Sequence, residues 1–449
     1  MAGPSDKARY YLEQSATELN DLERKKIFSR EEISSIARKR SDFEHIINAR
    51  GSHSSDYVRY IEFEKNVDAL RRKRIKRLGV KYKGSGQRSI YFLYNRAVRK
   101  FSGDLGLWMQ FIEFALKEKA FKRVNEILTS VVRLHPTKPE LWIYAANYFM
   151  ETQADITNAR SYMQRGLRFC KNSQHLWLEY AKLETIYVAK IAGRRKILGL
   201  DIDRTKKSQV ESDGDADMIA LPEITAEDIN PSLRKEDGVD EEALQNLASA
   251  PILSGAIPIA IFDSALKQFQ GDAAFAEMFF NMFTEFEQVP CILTILQHVL
   301  AQIKQSFPRT VHTVACNFRM QLFAIHPSSP EFPPALRDGL DLLTSSVEQH
   351  PGMKTRLSEV AIRTVLPLVR TLEETEEQQL KKVLSSSLRK FSRWLEEGVT
   401  GMGGDAIAAL AEALQQERNK ADARVLVWSG LKQFGGNEKL QLSQKALGT

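Results

Sequence analysis

The chain has 449 residues, 43% of them hydrophobic and 27% charged, with a formal net charge of +7; this suits several ordinary folded domains or one long repeat array. There is no run of 18 apolar residues, so no membrane-spanning helix is expected, and the start MAGPSDKARYYLEQ lacks the basic and apolar regions of a secretory signal. The three cysteines, Cys170, Cys291 and Cys316, are far apart without a C-x-x-C pair, which argues against a disulfide scaffold or zinc ribbon and fits a reducing compartment.

Residues 6–50 read as helical. Leu12, Leu19 and Leu22 recur at spacings of seven and three, and IFSREEISSIARKR carries a capping box, with Ser29 as N-cap and Glu32 three residues on. Ile33, Ile36, Ala37, Phe43, Ile46 and Ile47 continue an apolar stripe. A second long helix is expected from about Asp56 to Leu78, with Tyr57, Tyr60, Ile61, Val67, Leu70, Ile75 and Leu78 on its apolar face and RRKRIKR, Arg71–Arg77, within it. The loop VKYKGSGQ then supplies two glycines, a helix-stop signal.

From Arg88 to about Leu198 one phrase repeats. LWMQFIEFA sets Trp108, Phe111 and Phe114 three residues apart, LWIYAANYF sets Trp142, Ala145 and Tyr148 likewise, and LWLEYAKLE gives Trp177, Tyr180 and Leu183-Glu184. The Trp-to-Trp steps are 34 and 35 residues, and DYVRYIEFE, with Tyr57, Tyr60, Phe63 and Glu64, is an earlier degenerate copy. A fixed period of this size marks a stacked repeat architecture. Between the phrases lie segments such as ITNARSYMQRGLRF, where Ala159, Tyr162, Met163, Gly166 and Leu167 share helical spacing. The expected fold is therefore all-α, a solenoid of helix pairs. In each pair a large ring on the first helix seals the groove against small Ala and Gly residues of the second. Core anchors on this reading are Tyr57, Tyr60, Trp108, Phe111, Trp142, Tyr148, Trp177 and Tyr180; the rival reading makes the rings stacking platforms for single-stranded bases. Glu184, at the end of the phrase, is expected to cap a helix or pair with a basic residue of the neighbouring repeat.

Residues 199–250 break the pattern: DGDAD, scattered acids and few aromatics read as a disordered acidic linker. From 251 helices resume with weaker anchors. KADARVLVWSGLKQF echoes DITNARSYMQRGLRF, AIPIAIFDSALKQF is of the same type, and the aromatic-rich FAEMFFNMFTEF is expected to be its packing partner. Prolines at 308, 327, 330, 333, 334, 351 and 367 divide the remainder into helix-sized pieces. The expected organisation is an N-terminal helical domain at 1–87, repeats at 88–198, the acidic linker at 199–250 and degenerate C-terminal repeats at 251–449.

Charge is uneven along this order. Residues 1–200 hold 39 Lys and Arg against 22 Asp and Glu, whereas residues 201–250 hold 5 against 14. A basic first half points to an anionic partner. Its focus is Arg71, Arg72, Lys73, Arg74, Lys76, Arg77, Lys81 and Lys83, able to neutralise several phosphates with Tyr82 available to stack. Contact with RNA, an acidic protein partner, a nuclear import signal and a plain solvated helix face all remain open. A smaller cluster, Arg194-Arg195-Lys196, can contact RNA or pair with the acidic linker in cis.

Signatures of catalysis are missing. The eight histidines include no H-E-x-x-H and no i,i+4 pair, KGSGQR lacks the Walker lysine-serine ending, and no G-x-S-x-G occurs. No enzyme activity, cofactor, metal or small-molecule substrate is expected.

The phrase W-x-x-[YF]-x-x-[FL]-E followed by A-R-x-x-x-x-R-[AG]-L resembles the half-a-tetratricopeptide (HAT) repeat; Arg160, Arg165-Gly166-Leu167 and YNRAV at Tyr94–Val98 fit the second part. The N-terminal stretch narrows the resemblance. Leu22-Glu23, Ile27-Phe28, Glu31-Glu32-Ile33, Arg40, Phe43-Glu44, Tyr57, Arg59-Tyr60-Ile61-Glu62, Glu64 and the basic block from Leu70 to Gly79 resemble the small nucleolar RNA-associated protein 6 family through about residue 200. That resemblance implies a non-catalytic nucleolar scaffold in the UTP-B part of the small-subunit processome. The implied partners are other UTP-B subunits, including WD40-propeller proteins, and the U3 small nucleolar ribonucleoprotein on pre-ribosomal RNA. The alternatives are a HAT scaffold of splicing or polyadenylation and a stand-alone RNA-binding module.

Overall fold

The computed structural model describes residues 4–81, 86–197, 253–326, 329–373, 378–397, 403–417 and 419–447, with the backbone alone at 4–8, 371–373, 378–379 and 381. The expected linker at 199–250 lies outside the described residues, as do Tyr82 and Lys83. All regular structure among the described residues is helical. The chain divides into two compact units, Met1–Ala145 and Ala146–Thr449.

Unit 1 opens with α1 (Pro4–Arg24), α2 (Arg30–Asn48) and α3 (Ser54–Leu78). The expected helical stretch 6–50 is thus two helices, parted where Lys26 takes a left-handed φ of 53°. The capping box forms as the spacing requires: Ser29 Oγ accepts from the Glu32 amide while a Glu32 carboxylate oxygen accepts from the Ser29 amide. Helix α3 ends on Gly79, whose φ of 65° suits glycine at a helix C-terminus. Then follow α4 (Gln87–Lys100), α5 (Leu105–Lys117) and α6 (Phe121–Leu134). Each packs on the helix before it in chain order from α1 through α6.

Helix α7 (Pro139–Glu151) carries the division between the units. Unit 2 continues with α8 (Ile156–Phe169) and α9 (Gln174–Ile197), then α10 (Ala256–Gln268), α11 (Ala273–Thr284), α12 (Ile292–Ser306), α13 (Val311–Leu322) and α14 (Phe332–Gln349). It closes with α15 (Lys354–Glu373), α16 (Gln378–Glu396), α17 (Asp405–Gln416), α18 (Lys420–Gln433) and α19 (Glu438–Leu447). Here helices touch first or second neighbours in sequence: α9 lies on α10 and α11, α10 also on α12, α11 on α12 and α13, and α17 on α18 and α19. That alternation is the packing of stacked helix hairpins. The aromatic-rich segment, expected as the packing partner of α10, touches it through rings, Phe262 and Phe279 meeting edge-on at 5.4 Å, but packs mainly on α12 and α13. Pro367 departs from expectation, because α15 runs through it; a proline inside a helix removes one backbone hydrogen bond without having to end it.

Most of the expected anchors are core. Tyr57, Tyr60, Trp108, Phe111, Trp142, Tyr148 and Tyr180 are buried, and the Tyr94 and Phe111 rings stack at 4.8 Å. Buried rings have no face to offer a base. Trp177 differs: it is only half-buried, so α9 leaves part of this indole at the surface.

The tryptophans also do a polar job that spacing alone did not suggest. Each is the fourth residue of its helix, and its indole Nε1 donates to the carbonyl six residues back in the preceding turn: Trp108 to Ser102 at 3.0 Å, Trp142 to Pro136 at 2.9 Å and Trp177 to Lys171 at 3.2 Å. In α19 the fourth residue is Gln441, and its Nε2 donates to the Gly435 carbonyl at 3.1 Å. The ring thus fills the hairpin while its N–H satisfies a turn carbonyl that the helices leave unpaired.

Candidate nucleic-acid interface

Helical periodicity splits the basic block of α3. Residues 71, 74, 75 and 78 share one side and 73, 76 and 77 another, because positions three and four apart are neighbours on a helix.

On the first side Arg71 and Arg74 turn toward the protein, whereas Leu78 and the neighbouring Arg72 are exposed. Arg71 is 4% exposed; its Nη1 lies 3.4 Å from Glu18 Oε1, and its Nη2 donates to Asp68 Oδ1. Arg72 Nε lies 2.7 Å from Asp68 Oδ2, and its Nη2 donates to Glu118 Oε1 at 2.9 Å. Arg74 grips Glu32 with two 2.6 Å bonds, donates to the Ile27 carbonyl at 3.1 Å and sits 4.8 Å over the Phe28 ring. The Arg74 guanidinium and the Ser29 amide hold the Glu32 carboxyl down to about 2. These three arginines, candidates for contact with RNA or an acidic partner, are engaged within the molecule: carboxylates of α1, α2, α3 itself and the end of α5 meet their forks, although Arg72 stays exposed. Gly86 belongs to the same cluster, since a Cβ there would run into Asp68 Oδ1 and approach Arg71 Nη2 to 3.1 Å. Gly86 is thus a close approach of backbone to a buried ion pair.

The other side is open. Lys73, Lys76, Arg77 and Lys81 are exposed. None of these four side chains has an ion-pair partner among the described residues. The α1–α2 corner lies beside them: Lys25 Nζ donates to the Lys81 carbonyl at 2.9 Å, and Lys26 is exposed. Arg194 and Lys196 are exposed in the last turn of α9.

Behind the arginine clamps a cavity of about 520 Å³ opens between α1, α2, α3 and α4, its wall including Tyr11, Ser15, Glu18, Arg40, Glu44 and Glu64. Two ion pairs stand at it. Arg40 Nε and Nη2 donate to Glu64 Oε1 and Oε2 at 2.7 and 2.8 Å, and Arg96 donates to both oxygens of Glu44 at 2.8 and 3.0 Å. Burial raises the Glu18 carboxyl above its ordinary value, with nearby Arg40 and Arg71 opposing.

The Arg40–Glu64 pair has a twin in unit 2. Arg160 on α8 donates from Nε and Nη2 to the two oxygens of Glu184 on α9, both at 2.7 Å. Each arginine precedes its glutamate by 24 residues, and each glutamate ends the repeated aromatic phrase. Glu184, expected to cap a helix or to pair with a basic residue of the neighbouring repeat, pairs with Arg160 on α8, the second helix of the preceding pair. The spacing of 24 was the sequence signal for this.

Among the described residues no group of three or more His, Cys, Asp or Glu side chains is placed to hold a metal ion, and no helix is long and apolar enough to cross a membrane. Burial pushes the Cys316 thiol up to about 12 and also raises that of Cys291, which keeps both protonated.

Residues 12–96 match the family model of U3 small nucleolar RNA-associated protein 6. That stretch holds α1 from Leu12 onward, α2, α3 and most of α4, and with them the Arg40–Glu64, Arg96–Glu44 and Arg74–Glu32 pairs. A protein of the same description from Schizosaccharomyces pombe is 34% identical over 251 residues, 52% of this chain and 51% of the relative. The human homologue of U3 small nucleolar RNA-associated protein 6 is 31% identical over 185 residues, 40% of this chain and 31% of that protein. The Dictyostelium discoideum homologue is 25% identical over 295 residues, 63% of this chain and 46% of that protein. The chain spans about half or less of the length of these relatives. Model and relatives together support the U3 small nucleolar RNA-associated protein 6 family. Among solved structures, the APC/C hetero-tetramer Cut9-Hcn1 aligns at 9% identity over 93% of this chain and 64% of that chain, with a TM-score of 0.24. Yeast Tom70 aligns at 12% identity over 87% and 88%, with a TM-score of 0.19.

Proposed function

We propose that this chain is a non-catalytic scaffold subunit of the U3 small nucleolar ribonucleoprotein, acting in the nucleolus in the maturation of small-subunit ribosomal RNA. The observation that carries the reading is the family match over residues 12–96, together with relatives of that description at 34% and 31% identity. The architecture suits the role. Stacked helix pairs offer long surfaces built on a rigid core, which is how helical repeats hold several macromolecules at once. The HAT reading of the repeated phrase and placement in the UTP-B subcomplex, beside WD40-propeller subunits, complete the proposal.

The test is purification of the tagged chain from nuclear extract, with and without nuclease, followed by sequencing of bound RNA and identification of bound proteins. U3 RNA and a nuclease-resistant set of protein partners are expected. Recovery of spliceosomal RNAs or polyadenylation factors in place of U3 would move the chain to another HAT assembly. Loss of every protein partner on nuclease treatment would make it an RNA-binding module and not a scaffold.

A further inference from the structure

We infer that the open side of α3, Lys73, Lys76 and Arg77 together with Lys81 and Lys26 of the adjoining corner, is a sequence-independent contact for the phosphate backbone of RNA. Three observations converge on it. Three of the four arginines of the block are already paired: Glu18, Asp68, Glu118 and Glu32 meet Arg71, Arg72 and Arg74. What is left is positive charge whose side chains have no ion-pair partner among the described residues. The clamps also hold this charge in place, because Arg74 ties α3 to the Ile27 carbonyl and Lys25 ties the α1–α2 corner to the Lys81 carbonyl. The cations therefore project from a braced surface at fixed spacing, with about 6 Å of helix rise between Lys73 and Arg77.

The composition of the patch selects between polyanions. Protein interfaces are anchored by buried aromatic side chains and are poor in lysine. This patch is mostly lysine, and none of its five residues is aromatic. Lysines acting as point charges on phosphates, with release of counterions, need no such anchor. Lysine and arginine side chains set on phosphates read charge and not bases.

The inference rests on the ribonucleoprotein reading only in taking RNA as the polyanion. The experiment measures binding of the full chain to a mixed-sequence single-stranded RNA by fluorescence anisotropy over a range of salt. The chain is compared with a K73E/K76E/R77E variant and with a K122E control on α6, after circular dichroism has shown equal helicity. The open-side variant is expected to bind about tenfold or more weakly at low salt, and its log–log salt slope to fall by about 2, three contacts at about 0.7 each for a single strand; K122E should leave both unchanged. Equal affinity and slope for the variant and the unaltered chain overturn the inference. So does a variant that loses binding only to poly-L-glutamate, the probe for an acidic protein partner. Recovery of U3 RNA from extract by the same variant is read separately, so failure of the patch and failure of the ribonucleoprotein reading give different results.

Discussion

Arg40 and Glu64 face each other across the α2–α3 hairpin in a two-bonded pair that is almost wholly buried, with side-chain exposures of 8% and 4%. Arg160 and Glu184 repeat the geometry in unit 2, with the glutamate at 1% and the arginine at 26%. A buried ion pair contributes little net stability against a well-packed apolar pair, because desolvation offsets attraction. What it supplies is register: a planar fork meets a planar carboxylate at one offset between the two helices.

Breaking one side of such a pair is therefore the harsh change. Glu64→Ala should cost about 3–5 kcal/mol by stranding Arg40 in the core. The double change Arg40→Met with Glu64→Leu should lie much closer to the unaltered chain. Denaturant unfolding of the single and double variants checks this, and equal losses would show that the pair is not acting as a unit.

The indole–carbonyl bonds separate two roles of the repeated tryptophan. Trp142→Phe keeps a ring in the hairpin and loses only the bond to Pro136, so about 1 kcal/mol is expected. Trp142→Ala should cost about 3–5 kcal/mol. Trp177→Ala should cost less than Trp142→Ala, because its ring is half exposed. Thermal melts of the three variants give the order directly.

Charge reversal within RRKRIKR should sort by helix face. Arg74→Glu sets a second carboxylate against Glu32 and should lower the melting temperature by several degrees, whereas Lys76→Glu on the open side should shift it little. If both variants melted alike, the division of the block into clamp and open face would be lost.

Two carboxyls of unit 1 carry opposite pH signatures. Glu32 is held at about 2 in the folded chain against 4.5 ordinarily. Its contribution is therefore fully present above about pH 4.5 and fades as pH falls toward 2. Glu18 is raised, so ionising it opposes folding: that penalty is absent in acid and grows as pH climbs past 4.5. Glu32→Gln should lower stability at pH 7 but not near pH 2. Glu18→Gln should hold or raise stability at pH 7 and make no difference in acid. Melting curves between pH 2 and 7 test both signs.

Gly86 offers a steric test. Gly86→Ala drives a methyl group into the Asp68 carboxylate that Arg71 and Arg72 hold, and about 1–3 kcal/mol of destabilisation is expected. Gly103, which has open space around its Cβ position, is the control; an equal loss at both sites would remove the steric account, since backbone entropy alone favours Ala.

Much of this was legible in the chain itself. The period of 34 and 35 residues fixed helix pairs, the i, i+3 rings fixed the buried face, and Ser29 with Glu32 fixed a helix start, because each is a local rule about one helix or one hairpin. The fate of the charges was not legible. Arg71 and Arg77 are both arginines in one basic run, yet one is buried and the other open. Their difference lies in Asp68, one turn away on α3, and in Glu18, 53 positions upstream of Arg71, which meets it only after α1 has folded onto α3. Sequence period decides which side of a helix turns inward; only the packed neighbours decide whether an inward cation finds its carboxylate and which outward cations are left over, since ion pairing is set by distance in space and not along the chain.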